Sequence, residues 1–364
     1  MLDQLSQQLT ASHSLSEAQV RDAVESLVNE AVAPTTKAEF LSALAHKGET
    51  IEEIAAFARA LREKSIRPPI DSAWRETREL LDVCGTGGDQ LGTFNISTTV
   101  ALVCAAAGVA VAKHGNRAIT SQAGSADVLE ALGVRIDLSP SDAARSLREH
   151  NFAFFFAPNF HPAFKHIAPA RKLCAERGQR TIFNFLGPLL NPARPTAQLI
   201  GVPKRELCEP IARVLQTLGV RRGMVVSGRV ESSVQSPQIT DNIAHCQSAI
   251  ANLDELSTLG ANTVAEFYQE RGFAVSTLDP AQFPLQPATL VDLQGGDRNV
   301  NAEIIRQILR GAERGPKRDA VLLNASAALF VAGRTRSMGD GWELAAAVIE
   351  DGRAFAKLRE LIAG

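Results

Sequence analysis

"LDVCGTGGDQLGTFNIST" runs from Leu81 to Thr98: a short apolar run, glycines at 85, 87, 88 and 92, then Asn95, Ser97 and Thr98. Glycine at the end of an apolar run is costly, because it loses more backbone entropy on folding than other residues and adds no side chain to pack. Two readings account for it: a tight strand-to-helix turn, or a loop whose backbone amides stay bare to face an anion. Open parallel sheets bind ligands beyond the carboxyl ends of their strands, where a loop after LLDVC (80–84) falls. The loop is not a dinucleotide fingerprint, since Gln90 stands where the third glycine of GxGxxG belongs. It is not a P-loop either: Gly87 and Gly92 have the GxxxxG spacing, but Thr93 replaces the lysine. What remains is a set of free amides before a helix N-terminus near Ser97, and both suit phosphate. Composition alone leaves phosphate binding and a structural turn open.

The flanking sequence predicts the fold. After the proline-rich linker SIRPPIDS (65–72), apolar runs alternate with helical stretches: LLDVC (80–84), VAVAK (109–113), VRIDL (134–138), FAFFFA (152–157), AQLIGV (197–202) and GMVVSG (223–228). Apolar strands joined by helices mean a mainly parallel sheet covered on both faces. The residues before the linker read as helices only. Val20, Val24, Leu27 and Val28 share a helical face, and Thr36/Glu39 and Thr50/Glu53 have capping-box spacing. The expected class is α/β: a large domain (76–164 and 196–364) with a sheet flanked by helices, plus a smaller all-helical domain (1–70). Residues 160–196 look helical, then proline-punctuated, and are expected to pack with the N-terminal helices. Residues 229–252 read as a long surface insertion, and two or three helices close the chain from 302 onward.

Bulk composition excludes several classes. At 364 residues, with 45% hydrophobic and 21% charged content, this is an ordinary globular chain. Its formal net charge of -2 gives no pull toward nucleic acid or an anionic membrane. Cys84, Cys104, Cys174, Cys208 and Cys246 are never spaced as CxxC. That favours free thiols in a reducing compartment over a disulfide frame or zinc site. MLDQLSQQLT lacks an apolar signal core, and no run approaches a membrane span in length. The expectation is a cytoplasmic protein.

KHGNRAITSQAGSAD (113–127) follows the second apolar run and precedes a helix, so it is expected beside the first loop at the same sheet edge. Lys113, His114 and Arg117 supply positive charge; Asn116, Thr120, Ser121 and Ser125 supply directional hydrogen bonds. Ser125 suits the N-cap of ADVLEALG, which Gly133 ends. Capping leaves three cationic residues in five positions unexplained. His114 alone reads as a structural histidine. Two neighbouring loops of this make-up point to a phosphorylated ligand more strongly than either alone.

DVCGTGGD (82–89), NIST (95–98), KHGNR (113–117) and GSADVLEALG (124–133) together resemble the anthranilate phosphoribosyltransferases of the tryptophan pathway. The resemblance covers nearly the whole chain through KGETIEEIAAFARALRE (47–63), HPAFKHIAPAR (161–171), FNFLGPLLNPA (183–193), LDELST (253–258) and RDAVLLNASAALFVAG (318–333). It implies a helical domain completed by about 165–195, a homodimer, and transfer of a phosphoribosyl group from phosphoribosyl pyrophosphate to the amine of anthranilate. For the donor it implies contacts from Gly85, Gly88, Asp89, Thr93, Asn95, Ile96, Ser97, Thr98, Lys113, His114, Gly115, Asn116, Arg117, Ser121 and Ser125. For the acceptor it implies Gly85, Asn116 and Arg171, with His114, His161, Gly187 and Pro188 around them. For Mg²⁺ it implies Ser97, Asp254 and Glu255. No general acid or base is assigned. Read alone, Asp254 and Glu255 would be a solvated turn before a helix, and Arg171 a solvated helix residue.

Some positions depart from the family's usual text: Phe160 before His161, Thr120 for a serine, Leu190 for a threonine, and Ser227 for a histidine. The first three touch the acceptor side more than the phosphate side. Two other readings share some features. A pyrimidine nucleoside phosphorylase would use inorganic phosphate and leave the LDELST acids without a role. A non-catalytic nucleic-acid-binding relative calls for a basic stripe and damaged motifs, and here the charge is slightly negative and the motifs intact.

Overall fold

The structure, a computed structural model, describes residues 1–118, 122–230, 251–269 and 272–364. One eight-stranded sheet organises the chain. Its strands are β1 (Leu80–Gly85), β2 (Ala110–Gly115), β3 (Phe152–Phe156), β4 (Ala197–Gly201), β5 (Arg222–Val230), β6 (Ala251–Leu253), β7 (Asn262–Tyr268) and β8 (Gly272–Leu278). The order is β3-β2-β1-β4-β5-β7-β8, with β6 also paired to β5. The strands β1 to β5 run parallel, while β6 and β7 pair antiparallel with β5 and β8 antiparallel with β7. The glycine-rich loop leaves β1 at the carboxyl edge; beside it Lys113, His114 and Gly115, expected in a loop, are the last residues of β2, and the loop begins at Asn116.

Side chains alternate along β1, and that alternation divides the core. Leu81 and Val83 face the helices Ile96–Ala106, Pro316–Val331 and Met338–Glu350. Cys84 faces a second core shared with the N-terminal helices Glu17–Val28, Pro34–Lys47 and Ile51–Glu63. The helix Ile96–Ala106 has buried residues around its whole circumference, as its apolar run requires. Val20, Val24 and Leu27 are buried as their spacing predicts. The helix Ala168–Glu176 packs on Pro34–Lys47, and buried Lys37 donates through Nζ to the His166 carbonyl at 2.9 Å.

Several local expectations change. VRIDL (134–138) is no strand: Val134, Ile136 and Leu138 are buried in extended backbone that docks on the core without joining the sheet. Thr50 and Glu53 form their capping box, but Thr36 lies inside a helix that begins at Pro34. Four helices, not two or three, close the chain: Arg298–Leu309, Pro316–Val331, Met338–Glu350 and Arg353–Ala363. The antiparallel extension β7–β8 was not foreseen. Of the expected insertion 229–252, β5 takes 229–230 and β6 takes 251–252; residues 231–250, with Cys246, lie outside the described residues. Cys84, Cys104, Cys174 and Cys208 are free and buried. No helix among the described residues is long and apolar enough to cross a membrane.

Candidate active site

The glycine-rich loop divides its glycines between two jobs. Gly87, Gly88 and Gly92 have φ of +78°, +90° and +69°, with open space where a side chain would project. Their positive φ suits glycine and leaves the loop backbone bare. Gly85 does something else. A Cβ there would run into Asp254, and one on Gly201 would run into the Asp254 carbonyl. A Cβ on Gly228 would meet Ser257 and the Glu255 carbonyl. Gly85 and Gly201 end the adjacent strands β1 and β4, and Gly228 lies near the end of β5. Together they make a floor on which the Asp254–Ser257 backbone lies across the sheet edge. The buried Asn324 fixes that segment from the opposite side: it accepts from Leu256 N–H and donates to the Leu256 carbonyl, both at 2.9 Å.

Asp254 and Glu255 are therefore buried, not a solvated turn, and β7 rather than a helix follows them. Asp254 Oδ2 accepts from Gly87 N–H at 2.5 Å, and Glu255 Oε1 from Ser97 N–H at 3.2 Å. Asp89 Oδ2 lies 3.5 Å from the Asp254 amide. Burial, then the charges of Asp89 and Glu255, hold Asp254 well above the usual carboxylate range. Burial pushes Glu255 to about 7, against the pull of Lys113. Lys113 is buried too, donating to the Val83 carbonyl at 2.7 Å with Ser97 Oγ at 3.5 Å. The hydroxyls of Thr86 and Thr98 are buried without a partner. The crowding of Asp254, Glu255 and Asp89, opposed by Lys113, makes an acidic oxygen site, which fits Mg²⁺. No three His, Cys, Asp or Glu side chains among the described residues form a metal cluster. Mg²⁺ takes few protein ligands and keeps waters or phosphate oxygens.

The N-terminus of helix Ile96–Ala106 opens on the same place. Asn95 precedes it without a side-chain cap, the Ile96 amide donates to the Phe94 carbonyl at 2.7 Å and the Ser97 amide to Glu255, so what the helix start offers an anion is its positive end. The Asn95 carboxamide instead joins the two loops, donating to the Ala123 carbonyl at 3.1 Å and accepting from Asn301 at 3.0 Å. Thr93 bridges to Gln294. In the second loop Gly124, not Ser125, precedes the helix Ser125–Leu132, and Asp127 accepts from the Gly124 amide. Ser125 Oγ lies 3.4 Å from the Asn116 carbonyl, and a Cβ on Gly115 would strike it. Arg117 turns away from Lys113 and Ser97: it is exposed and paired to Asp127 and Glu130 at 2.9 and 3.0 Å. Ser121 and Thr120 lie outside the described residues.

A run of rings leads from this edge to Arg171. His114 Nε2 and His161 Nε2 are 3.2 Å apart. His161 stacks near Phe164 (5.0 Å between centroids), Phe164 meets Phe183 edge-on (5.9 Å), and Arg171 lies over Phe183 at 5.3 Å. The Arg171 guanidinium is half-buried and has no hydrogen bond or ion pair among the described residues. Burial lowers its pKa, as it does that of His114, to about 3, and of His161, to about 4. Both imidazoles are neutral at ordinary pH, and His161 Nδ1 is buried without a partner. Asn116 is exposed, and its Oδ1 accepts from the Arg117 amide at 2.8 Å.

Sequence reasoning missed Gly201, Gly228 and Asn324. A glycine at or near the end of each of three neighbouring strands was the readable signal for the first two. Asn324 lies in the quoted NASAAL stretch but carried no chemical cue of its own.

A bare-amide loop, a helix N-terminus and a buried acid pair at the edge of a parallel sheet, beside a helical bundle, define a glycosyl-transferring fold of two parts. Residues 77–244 and 239–355 match the glycosyl transferase family a/b domain, and residues 3–65 match the helical bundle domain of that family. A relative from Petrotoga mobilis, named anthranilate phosphoribosyltransferase, is 44% identical over 98% of this chain and 94% of its own length. The crystal structure of the enzyme of that name from Thermus thermophilus superposes with a TM-score of 0.84 at 41% identity, covering 99% of this chain and 98% of that one. The Saccharomyces cerevisiae enzyme in complex with PRPP and Mg gives a TM-score of 0.82 at 25% identity, over 100% and 97%. The chain belongs to the anthranilate phosphoribosyltransferase family.

Proposed function

We propose that this chain transfers the 5-phosphoribosyl group of phosphoribosyl pyrophosphate to the amine of anthranilate, releasing pyrophosphate. One observation carries the reading: the buried Asp254–Glu255 pair is seated directly against a bare-amide loop and a helix N-terminus. A phosphate-only site has no use for buried carboxylates, whereas a pyrophosphate that arrives with a divalent cation does. The complex of the yeast relative with PRPP and Mg supports it.

In this reading Gly87, Gly88, Asp89, Thr93, Ser97, Thr98 and Lys113 receive the donor, with Ile96 and the Ser97 amide at the helix start. Asn95, Gly115 and Ser125 hold the two loops together around it. Asp254 and Glu255, with the Ser97 hydroxyl, would hold Mg²⁺, which when bound supplies positive charge against the pyrophosphate oxygens. Arg171 pairs with the anthranilate carboxylate, and the rings of His161, Phe164 and Phe183 line the path between that carboxylate and the amine. Asn116 orients the amine toward the anomeric carbon. The N–C bond forms as the C–O bond to pyrophosphate breaks, the electron pair leaves with pyrophosphate, and the amine proton passes to solvent. The transition state resembles an oxocarbenium ion, so positioning and charge stabilisation are the main contributions of the residues named.

The family resemblance supports a homodimer, a cytoplasmic location, and a helical domain of 1–70 completed by about 165–195. Loss of anthranilate fluorescence on addition of phosphoribosyl pyrophosphate and Mg²⁺ tests the activity. Folded protein that leaves the fluorescence unchanged with both substrates present refutes it.

A further inference from the structure

On the sheet face opposite helix Ile96–Ala106, a short strap, Gly187–Asn191, buried from Pro188 onward, is held by side chains from separate elements. Arg62, in the N-terminal helix Ile51–Glu63, donates through Nε to the Leu189 carbonyl at 2.5 Å. Gln198, on β4, donates to the Pro188 carbonyl at 3.1 Å. Asn191 closes the strap, donating to Asp82 Oδ2 at 2.8 Å and to the Ala112 carbonyl at 2.7 Å. Asp82 also accepts from the His114 amide at 3.3 Å. Pro188 and Leu189 are thus held from β4 and from the helix Ile51–Glu63, and Asn191 links the strap through Asp82 to the His114 amide.

Arg62 and Gln198 are poor stabilisers as they stand. Both are buried, yet Arg62 Nη2 and Gln198 Oε1 have no partner. Burying a half-satisfied polar group costs more than an apolar side chain of the same shape. Stability alone does not account for either residue. What each does supply is a directional hold on one strap carbonyl.

We propose that Arg62 and Gln198 are positioning residues for the acceptor: they fix the strap, and the strap, through Asn191 and Asp82, fixes the His114 backbone and the loop that carries Asn116. The inference rests on the assignment of the His114–His161–Phe183–Arg171 side to anthranilate. It places a residue of the N-terminal helices in control of acceptor affinity, although that residue touches neither substrate.

Steady-state kinetics with each substrate varied in turn tests this on Gln198→Met, Arg62→Met and Arg62→Lys. For the two methionine variants the KM for anthranilate is expected to rise about tenfold, the effect of losing one hydrogen bond. The KM for phosphoribosyl pyrophosphate is expected to stay within about twofold. Arg62→Lys is expected to recover most of the loss, because an ammonium can reach the same carbonyl. Hydrogen exchange in residues 187–191 is expected to quicken in the methionine variants. Equal weakening toward both substrates, or no weakening toward anthranilate, overturns the proposal. If Arg62→Met fails to fold, Gln198→Met decides, since it removes an atom that already lacks a partner. Wild-type protein without turnover refutes the functional reading; active wild type with no split in the variants refutes only the positioning role.

Discussion

The two halves of the site are built from different materials. The donor half is backbone and glycine: a loop without side chains at Gly87 and Gly88, a helix N-terminus, and an acidic segment laid on Gly85, Gly201 and Gly228. The acceptor half is side chain: two neutral imidazoles, two phenylalanines and an arginine with no anionic partner among the described residues. The difference follows from the ligands proposed. A polyanion is recognised by many fixed dipoles at short range, which side chains would only obstruct. A flat aromatic acid needs rings along its faces and one planar cation at its carboxylate. The donor half therefore tolerates no added volume at Gly85, Gly201 and Gly228, where a Cβ would strike the acidic segment, and the acceptor half tolerates change in shape more readily than change in charge.

The sharpest way to break that contrast is at the acid pair. Asp254→Asn with Glu255→Gln is expected to lower kcat by about 10²–10³-fold and to abolish the response of rate to Mg²⁺. The fold is expected to persist and to gain stability, because two buried, mutually repelling carboxylates are neutralised. Unchanged turnover and Mg²⁺ dependence would return the pair to a structural role. Gly201→Ala tests the same half through shape alone. Its methyl group displaces the Asp254 backbone, so the Mg²⁺ concentration for half-maximal rate and the KM for phosphoribosyl pyrophosphate are expected to rise together. Mn²⁺ binding followed by electron paramagnetic resonance is expected to weaken in parallel. An anthranilate KM that rises as much as the donor's would mean the two halves are not separable.

Arg171→Ala addresses the other half. A charge-assisted hydrogen bond contributes about 1.5–3 kcal/mol, so the KM for anthranilate is expected to rise roughly 10–150-fold. The KM for the donor is expected to stay nearly constant, and Arg171→Lys to restore little, because an ammonium lacks the planar fork. Parallel weakening toward both substrates would expose a general defect.

The imidazoles give the acceptor half its own pH signature. His161 is held at about 4 by burial, against about 6.5 in an unfolded chain. The unfolded state then binds more protons between those values, so the His161 contribution is complete above about pH 6.5 and is lost as pH falls toward 4. Thermal unfolding of wild type and His161→Phe at pH 7 and pH 5 is expected to show a smaller acid loss in the variant, by about 2 kcal/mol. An identical loss in both would mean His161 is not held neutral. The smallest effect is expected at Arg117, which the sequence grouped with the donor. Its exposed pairing with Asp127 and Glu130 predicts a donor KM within about twofold for Arg117→Ala; a rise of tenfold would bring Arg117 back into the donor half.

The sequence by itself determined the α/β class, the glycine-rich loop at the end of β1, and its neighbour after β2. Those features are local: strand-to-helix alternation, positive-φ glycine and a helix start are all written within a few residues of one another. Local reading failed where burial without pairing imitates a strand, as in VRIDL, and where a good capping residue lies one position inside the helix, as with Ser125. Only the tertiary structure decided that Gly85 serves Asp254 as a floor, that Gly201 and Gly228 share that work, and that Arg117 is occupied by surface acids. It alone aligned His114, His161, Phe164, Phe183 and Arg171 into one path. Each of these depends on the order in which strands lie side by side, β1 against β4 and β4 against β5, which brings Gly85 next to Gly201 across a long stretch of intervening chain. A glycine's missing side chain carries no mark of what will occupy the space; that is fixed only when the sheet brings the acidic segment across it.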